Sequence, residues 1–517
     1  MAAPQEKLAQ SLQALHALQA RGVAIRSSDL SRTHRERLLA SGFLREVIKG
    51  WYIASRPDEA AGDSTAWYAS FWDFCASYLA ERFGEEWCLS PEQSLALHGG
   101  NRTVPAQLLV RTPRGGNKPT ALPHGTSLFD VRYQMPPAGE IVVRDGLRLY
   151  SVPAALAAVS AHHFRSAPTD VRAAMATVKD ASDVLAVLLG GGHSTIAGRL
   201  AGAFRNAGQP QIADEILQTM TAAGYDVREA DPFAGRPDAV VAVRDVSPYV
   251  NRLRLMWDAM RRPILDVFPA PPGPPDPAAY LRAVDDVYVN DAWHSLSIEG
   301  YRVSPELIER VRSGTWNPDD DPQDRESRNA LAARGYYDAF TAVKASVERV
   351  LRGGNPGGVV RDDHRAWYRQ MFGPGVTAGI VSAVDLAGYR NGQVYIRRSK
   401  HVPAPREAVR DCMPALFELI DGETEPAVRA VLGHFVFVYI HPYMDGNGRM
   451  GRFLMNVMMA SGGYPWTIIP VERRDDYMAA LEAASVGQNI RPFAEFIGGL
   501  VASGLRGAPP PAVPGTT

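Results

Sequence analysis

The chain has 517 residues, a formal net charge of −1, 46% hydrophobic residues and three cysteines. So even a charge balance excludes a global field that would steer the molecule to nucleic acid, and any basic patch has to be local. Cys75, Cys88 and Cys412 form no C-x-x-C pair, which excludes a disulfide frame or a cysteine zinc site and points to a reducing compartment.

Length suggests about three domains at ~150 residues each. No stretch approaches the ~18 apolar residues that a membrane span needs. The opening residues lead into no apolar signal core, so a cytoplasmic protein is expected. Leu8, Leu12, Leu15 and Leu18 predict a short amphipathic helix. A second short helix is expected over 27–30, with a serine cap, and a third over 33–40, with Gly42 as its stop. Residues 47–53 then read as a small hairpin. Three helices and a hairpin make a winged helix-turn-helix over 1–60. Its cations Arg21, Arg26, Arg32, Arg35, Arg37, Arg45 and Lys49 outnumber Asp29, Glu36 and Glu46, so DNA is a partner to expect through residues 21–53.

A mixed α/β region is expected over 61–233. Residues 90–99 start a helix with a proline in its first turn, 108–110, 141–143 and 147–150 read as strands, and 153–161 and 171–178 read as helices. The winged unit followed by Leu95-Ala96-Leu97-His98-Gly99 resembles antitoxin-type regulators of the AbiEi kind. That resemblance implies a DNA-binding or repressor-like module. Gly190-Gly191-Gly192-His193-Ser194-Thr195 lacks the lysine of a phosphate-binding loop and reads as a helix end followed by the next cap. Residues 232–245 look like a loop, 249–260 a helix, and the proline-rich 268–277 a stiff connector or strap.

The remainder is predicted to be mainly α. A helical region over 246–345 contains Ser295-Leu296-Ser297-Ile298-Glu299-Gly300 after a helix over 283–293. The acidic run Asp319-Asp320-Asp321 reads as a solvated turn. A core over 346–505 follows, with helices over 363–371 and 407–419 and two short β segments within 388–403 that fit a hairpin. Residues 506–517 are proline-rich and expected to be disordered.

The densest chemistry lies in His441-Pro442-Tyr443-Met444-Asp445-Gly446-Asn447-Gly448-Arg449-Met450-Gly451-Arg452. Val428, Val431, Leu432, Phe435, Val436 and Val438 mark a buried helix over 426–440, which His441-Pro442 stops. Met450, Phe453, Leu454, Val457 and Met458 mark a second. The turn between them opens that second helix with unpaired N–H groups at its positive dipole end, which is an anion site. Glycines allow close approach to phosphate. Arg449 and Arg452 are i, i+3 neighbours able to face one anion. Asp445 is a hard oxygen ligand suited to Mg²⁺ shared with phosphates, and His441 is placed to take a proton from a hydroxyl. Gly446-Asn447-Gly448-Arg449-Met450-Gly451 is also a literal G-x-G-x-x-G, but a dinucleotide fingerprint follows its strand directly, and here five residues intervene.

These residues match HP(F/Y)x(D/E)GNGRxxR, and the chain here resembles the Fic (filamentation induced by cAMP) family, with Tyr443 where phenylalanine is commoner. The resemblance implies a Fic-type helical bundle that transfers AMP from ATP to a protein hydroxyl. It implies His441 as general base, Asp445 as the metal ligand, Gly446, Asn447 and Gly448 as the phosphate cradle, and Arg449 and Arg452 on the triphosphate tail. It also implies that 388–403 is a flap on which the protein substrate docks by strand addition, with the chain itself among the acceptors. Ser295, Glu299 and Gly300 match the family's inhibitory (S/T)xxxE(G/N) pattern, so Glu299 is expected to pair with Arg452 and hold activity down. Three alternatives stay open: Glu299 orients a water that removes AMP, the donor is another nucleotide, or the protein is a DNA-binding regulator whose Fic half senses nucleotide.

Overall fold

The computed structural model describes residues 4–20, 22–57, 63–233, 247–316 and 328–513. These fall into two compact units. One is residues 1–252 together with 395–402, and the other is 253–394 together with 403–517. The expected loop at 232–245, the acidic run 319–321, Arg21 and the last residues of the tail lie wholly or largely outside the described residues.

The N-terminal unit opens with helix Pro4–Gln19, strand Ile25–Arg26, helix Arg32–Ala40 and the hairpin Leu44–Ile48 and Trp51–Ala54. The third strand lies between the first and second, all antiparallel. Leu15, Ile25, Leu30, Leu38, Leu44 and Tyr52 fill a small core of their own. The short helix expected over 27–30 is a turn instead. The Asp29 carboxylate accepts the Arg26 N–H at 2.7 Å, the Ser27 N–H reaches Gly50 O at 2.8 Å and the Asp29 N–H reaches Arg26 O at 3.0 Å, bonds of a turn and not of a helix.

Next come the aromatic helix Thr65–Phe83, helix Pro91–His98 with Ser90 as its cap, and a four-stranded sheet. In that sheet Gln107–Thr112 runs parallel to Ser127–Arg132. The predicted strands over 141–143 and 147–150 form the hairpin Ile141–Arg144 and Leu147–Tyr150. Five helices from Ala161–Ser166 to Pro210–Ala222 complete the unit around a second core. Gly192, in the left-handed conformation, ends one helix before the next begins at Ser194.

The C-terminal unit is helical among its described residues. Helix Arg328–Leu351 runs through the boundary expected at 345/346, so the region carrying 295–300 and the motif region form one body. The proline-rich segment is a strap: Gly273 N–H bonds Gly462 O at 3.2 Å, and Tyr464 Oη donates to Pro269 O at 2.7 Å. The expected disorder of 506–513 is corrected: Pro511 O accepts from Asn290 Nδ2 at 2.8 Å, so a carbonyl finds a partner on helix Tyr288–Ile298, and Val513 is buried.

The hairpin expected within 388–403 is also corrected, because no strand pairs there. Its root belongs to the C-terminal unit, where the Arg390 guanidinium, not a facing strand, satisfies the carbonyls of Gly392 and Ala404. Its middle, 395–402, belongs to the N-terminal unit. There Lys400 O accepts from Val104 N–H at 2.8 Å, Arg398 N–H reaches Thr65 Oγ1 at 3.3 Å and Arg397 pairs with Asp63 at 3.1 Å. Main-chain groups committed in this way are not free to add a strand.

Candidate active site

Two helices and the turn between them build the site. Helix Pro426–Ile440 is capped by His441 in the left-handed conformation, φ 53° and ψ 62°, and helix Asn447–Ser461 starts after Gly446, φ 76°. The helices approach closely because Gly433 and Gly451 carry no side chain. A Cβ at Gly433 would stand 2.8 Å from Leu454 Cδ2, and one at Gly451 would stand 2.9 Å from Val438 Cγ1. Tyr443 is buried in the turn, and its ring stacks on Tyr368 at 3.8 Å between centroids. Its hydroxyl has no partner among the described residues.

Asn447 braces the turn. Its side chain accepts from the Tyr443 N–H and donates to Tyr443 O, both at 2.9 Å. No side chain caps the helix that Asn447 begins. Among the described residues, the Asn447 and Gly448 N–H groups have no partner, while the Gly446 N–H is taken by Asp445 Oδ1 at 2.6 Å. Two free donors therefore face the N-terminal end of a helix dipole, which is where an anion is stabilised.

The two arginines differ. Arg449, 2% exposed, lies with its guanidinium over the rings of Tyr301 (5.2 Å) and Phe372 (5.1 Å). It stands 3.9 Å from Asp445, and its Nε has no partner among the described residues. Arg452 is buried. Its Nε donates to Ser295 Oγ at 2.8 Å, and its Nη2 donates to Ser295 O at 3.1 Å and to Glu299 Oε1 at 2.7 Å. Arg452 Nη1 has no hydrogen-bond partner among the described residues. The Glu299 carboxylate also sits over the cradle, since a Cβ on Gly448 would stand 2.5 Å from its Oε1. Burial alone would raise the Glu299 carboxyl, but the Arg452 and Arg449 cations outweigh it and hold the group below the usual carboxylate range.

Gly300 closes the helix that carries this carboxylate. At φ 86° it takes the left-handed position of a Schellman end, with Gly300 N–H on Ser297 O and Tyr301 N–H on Leu296 O. Asp291, one turn before Ser295, is buried and accepts from Tyr336 Oη at 2.6 Å and Trp466 Nε1 at 3.1 Å, anchoring the helix. Nothing in the local sequence around Asp291 marks that role.

His441 is half-buried, with Nδ1 on Val438 O at 3.2 Å. That contact is satisfied by the tautomer with the proton on Nδ1, which leaves Nε2 as the base. Burial, helped by the Arg390 cation, pushes the imidazole down to about 4, so it is neutral near pH 7. Asp445 is 64% exposed, and its Oδ2 has no partner among the described residues. No group of three or more metal-ligating side chains occurs among the described residues. The chain therefore supplies one hard oxygen at the mouth of a phosphate site, the pattern that suits Mg²⁺ completing its shell with phosphate and water. Tyr477, which lies one turn into helix Arg474–Ser485, is buried with its hydroxyl on His434 Nε2 at 2.8 Å.

In the region expected to bind DNA, Arg32 pairs with Glu36, Arg26 with Asp29 and Glu81, and Arg35 and Arg37 bond the carbonyls of Ser27 and Lys7. Much of the expected positive face is thus spent inside the unit.

A helical bundle with an uncapped, glycine-lined helix N-terminus flanked by an imidazole, a carboxylate and two buried arginines is an arrangement able to take an anion. Residues 360–459 match the model of the Fic/DOC family, and the chain carries a domain of that family. It is 34% identical over 140 residues to protein adenylyltransferase fic-1 of Caenorhabditis briggsae, covering 26% of each chain. It is 29% identical over 224 residues to protein adenylyltransferase Fic of Drosophila grimshawi, covering 43% of this chain and 42% of that one. The chain thus spans a quarter to under half the length of the curated relatives it matches. Among solved structures, Fic-1 (residues 134–508) from C. elegans aligns at 20% identity with a TM-score of 0.37, over 68% of this chain and 97% of that one.

Proposed function

We propose that the C-terminal unit is a protein adenylyltransferase held in a repressed state by Glu299. The observation that carries this reading is the set of donors unmatched among the described residues, the N–H groups of Asn447 and Gly448 and Arg452 Nη1, on the helix that follows a neutral His441. Unmatched buried donors are costly and mark a place where an acceptor belongs. The names of the matched relatives support the same chemistry.

In this reading ATP lies with its phosphates over Gly446–Gly448. Mg²⁺ held by Asp445 supplies charge neutralisation on the phosphates. A Ser, Thr or Tyr hydroxyl of a target protein gives its proton to His441 Nε2, and its oxygen bonds to the α-phosphorus. The bond from that phosphorus to the bridging oxygen of the β-phosphate breaks, and pyrophosphate leaves. The free N–H groups and the arginines hold the charge that develops. With Glu299 on Arg452, a carboxylate occupies the place of a terminal phosphate, and the triphosphate settles out of line for attack. The test is transfer of label from ATP to protein by the wild type, Glu299→Gly and His441→Ala. Stimulation by the first substitution and loss by the second support the reading. Loss of AMP from a modified target on incubation would assign Glu299 the opposite duty of orienting a water.

A second reading concerns the N-terminal unit. The strand order of residues 25–54, with the third strand between the first and second, is that of a winged helix, which supports DNA as a partner of this unit. A gel shift with the DNA upstream of its own gene, with and without ATP, tests it. No described helix is long and apolar enough to cross a membrane.

A further inference from the structure

His441 sits in the left-handed backbone conformation, φ 53°, which is uncommon for non-glycine residues. The next residue is proline, which has no N–H, so beyond the His441 N–H, which ends the helix on Phe437 O at 3.0 Å, His441 and Pro442 offer their two carbonyls as handles. Both handles are gripped by Arg390. Its Nε donates to His441 O at 2.8 Å, and its backbone N–H donates to Pro442 O at 2.9 Å. The same guanidinium reaches Gly392 O at 3.1 Å and Ala404 O at 2.5 Å, and the residue is 1% exposed. A planar fork with five donors can bind three carbonyls at once, and lysine cannot reproduce it. The base therefore shares its placement between the preceding helix, through the His441 N–H on Phe437 O, and a residue fifty-one positions upstream that holds it through main-chain oxygens.

We propose that Arg390 is the positioning residue of the catalytic base: it fixes the left-handed turn at His441 and so keeps Nδ1 on Val438 O and Nε2 free for the acceptor proton. This inference deepens the transferase reading and rests on it. It differs from a purely structural role for the loop over 388–404, which would disturb the nucleotide site and the base together.

The experiment uses the full chain with Glu299→Gly as the reference, and adds Arg390→Gln or Arg390→Lys. It measures kcat and KM for Mg–ATP in labelling of the chain by itself, the ATP dissociation constant by calorimetry, and the ¹⁵N spectrum of the His441 imidazole. The expected result is a fall in kcat on the order of 100-fold for Arg390→Gln, with a smaller fall for Arg390→Lys. KM and ATP affinity stay at reference values, and the His441 spectrum changes from the Nδ1–H tautomer to a mixture. Unchanged kcat, a loss of ATP affinity in step with kcat, or an unchanged imidazole spectrum overturns the inference. If the reference itself transfers nothing, the transferase reading fails, and the imidazole spectrum alone decides the role of Arg390.

Discussion

Replacing Glu299 by glycine tests the repressed state most fully. The carboxylate makes one charge-assisted contact of 2.7 Å with Arg452, whose side chain is 6% exposed against 27% for Glu299. Such a bond contributes about 1.5–3 kcal/mol, and the partial exposure of the carboxylate places it toward the lower end. If repression is the free energy of holding Arg452 away from the nucleotide, its removal raises the transfer rate by about 10- to 150-fold, at 1.36 kcal/mol per factor of ten. Glu299→Gln keeps the shape, loses the charge and falls between wild type and Glu299→Gly. The assay is the initial rate of label transfer from ATP to the chain or to a supplied target, at saturating Mg–ATP and matched protein concentration. Circular dichroism and a denaturation midpoint establish that each variant is folded. Equal rates for wild type, Glu299→Gln and Glu299→Gly refute the reasoning, as does a rate that falls with the loss of the carboxylate.

His441→Ala in the Glu299→Gly background is expected to abolish labelling while leaving ATP affinity intact, as calorimetry would show. Because burial holds His441 at about 4, the Glu299→Gly rate is expected to be flat from roughly pH 5.5 to 8, and an acid limb centred near ~6.5 would show an unshifted imidazole. The Glu299 carboxyl lies below its ordinary value when folded, so its pairing contributes fully above the unfolded value of ~4.3 and fades only as the pH falls through the lower folded value. Wild-type repression is accordingly independent of pH across the neutral range, and a wild-type rate that climbs between roughly pH 7 and 6 contradicts this. Tyr443→Phe removes a buried hydroxyl with no partner among the described residues. It is expected to stabilise the fold by about 1 kcal/mol, read as a higher denaturant midpoint, and a lower midpoint points to an unseen partner.

What can be read from the chain depends on how local the cause is. The two motif helices follow from apolar spacing on either side of a glycine turn, and the structure places them at Pro426–Ile440 and Asn447–Ser461. The Glu299 to Arg452 contact spans 153 positions, yet both ends carry a recognisable pattern. The loop over 388–403 misleads for a physical reason: Val394, Tyr395 and Ile396 have strand-like residue types, but Val394 is buried in one unit while Tyr395 packs into the core of the other. The parallel pairing of Gln107–Thr112 with Ser127–Arg132 leaves no periodic trace, because register between distant strands is set by tertiary contacts. Arg390 reads as one arginine among many, and its grip on His441 and Pro442 becomes visible only when three carbonyls converge on its guanidinium and a fourth on its backbone N–H.

AMP transfer leaves the α-phosphorus of ATP, and not the γ-phosphorus, on the protein. Glu299→Gly should be incubated in parallel with ATP labelled at the α-phosphorus and ATP labelled at the γ-phosphorus, then denatured and resolved. Label retained from the α position and absent from the γ position is the outcome that AMP transfer at His441 requires. Retention of the γ label, or of neither, contradicts it.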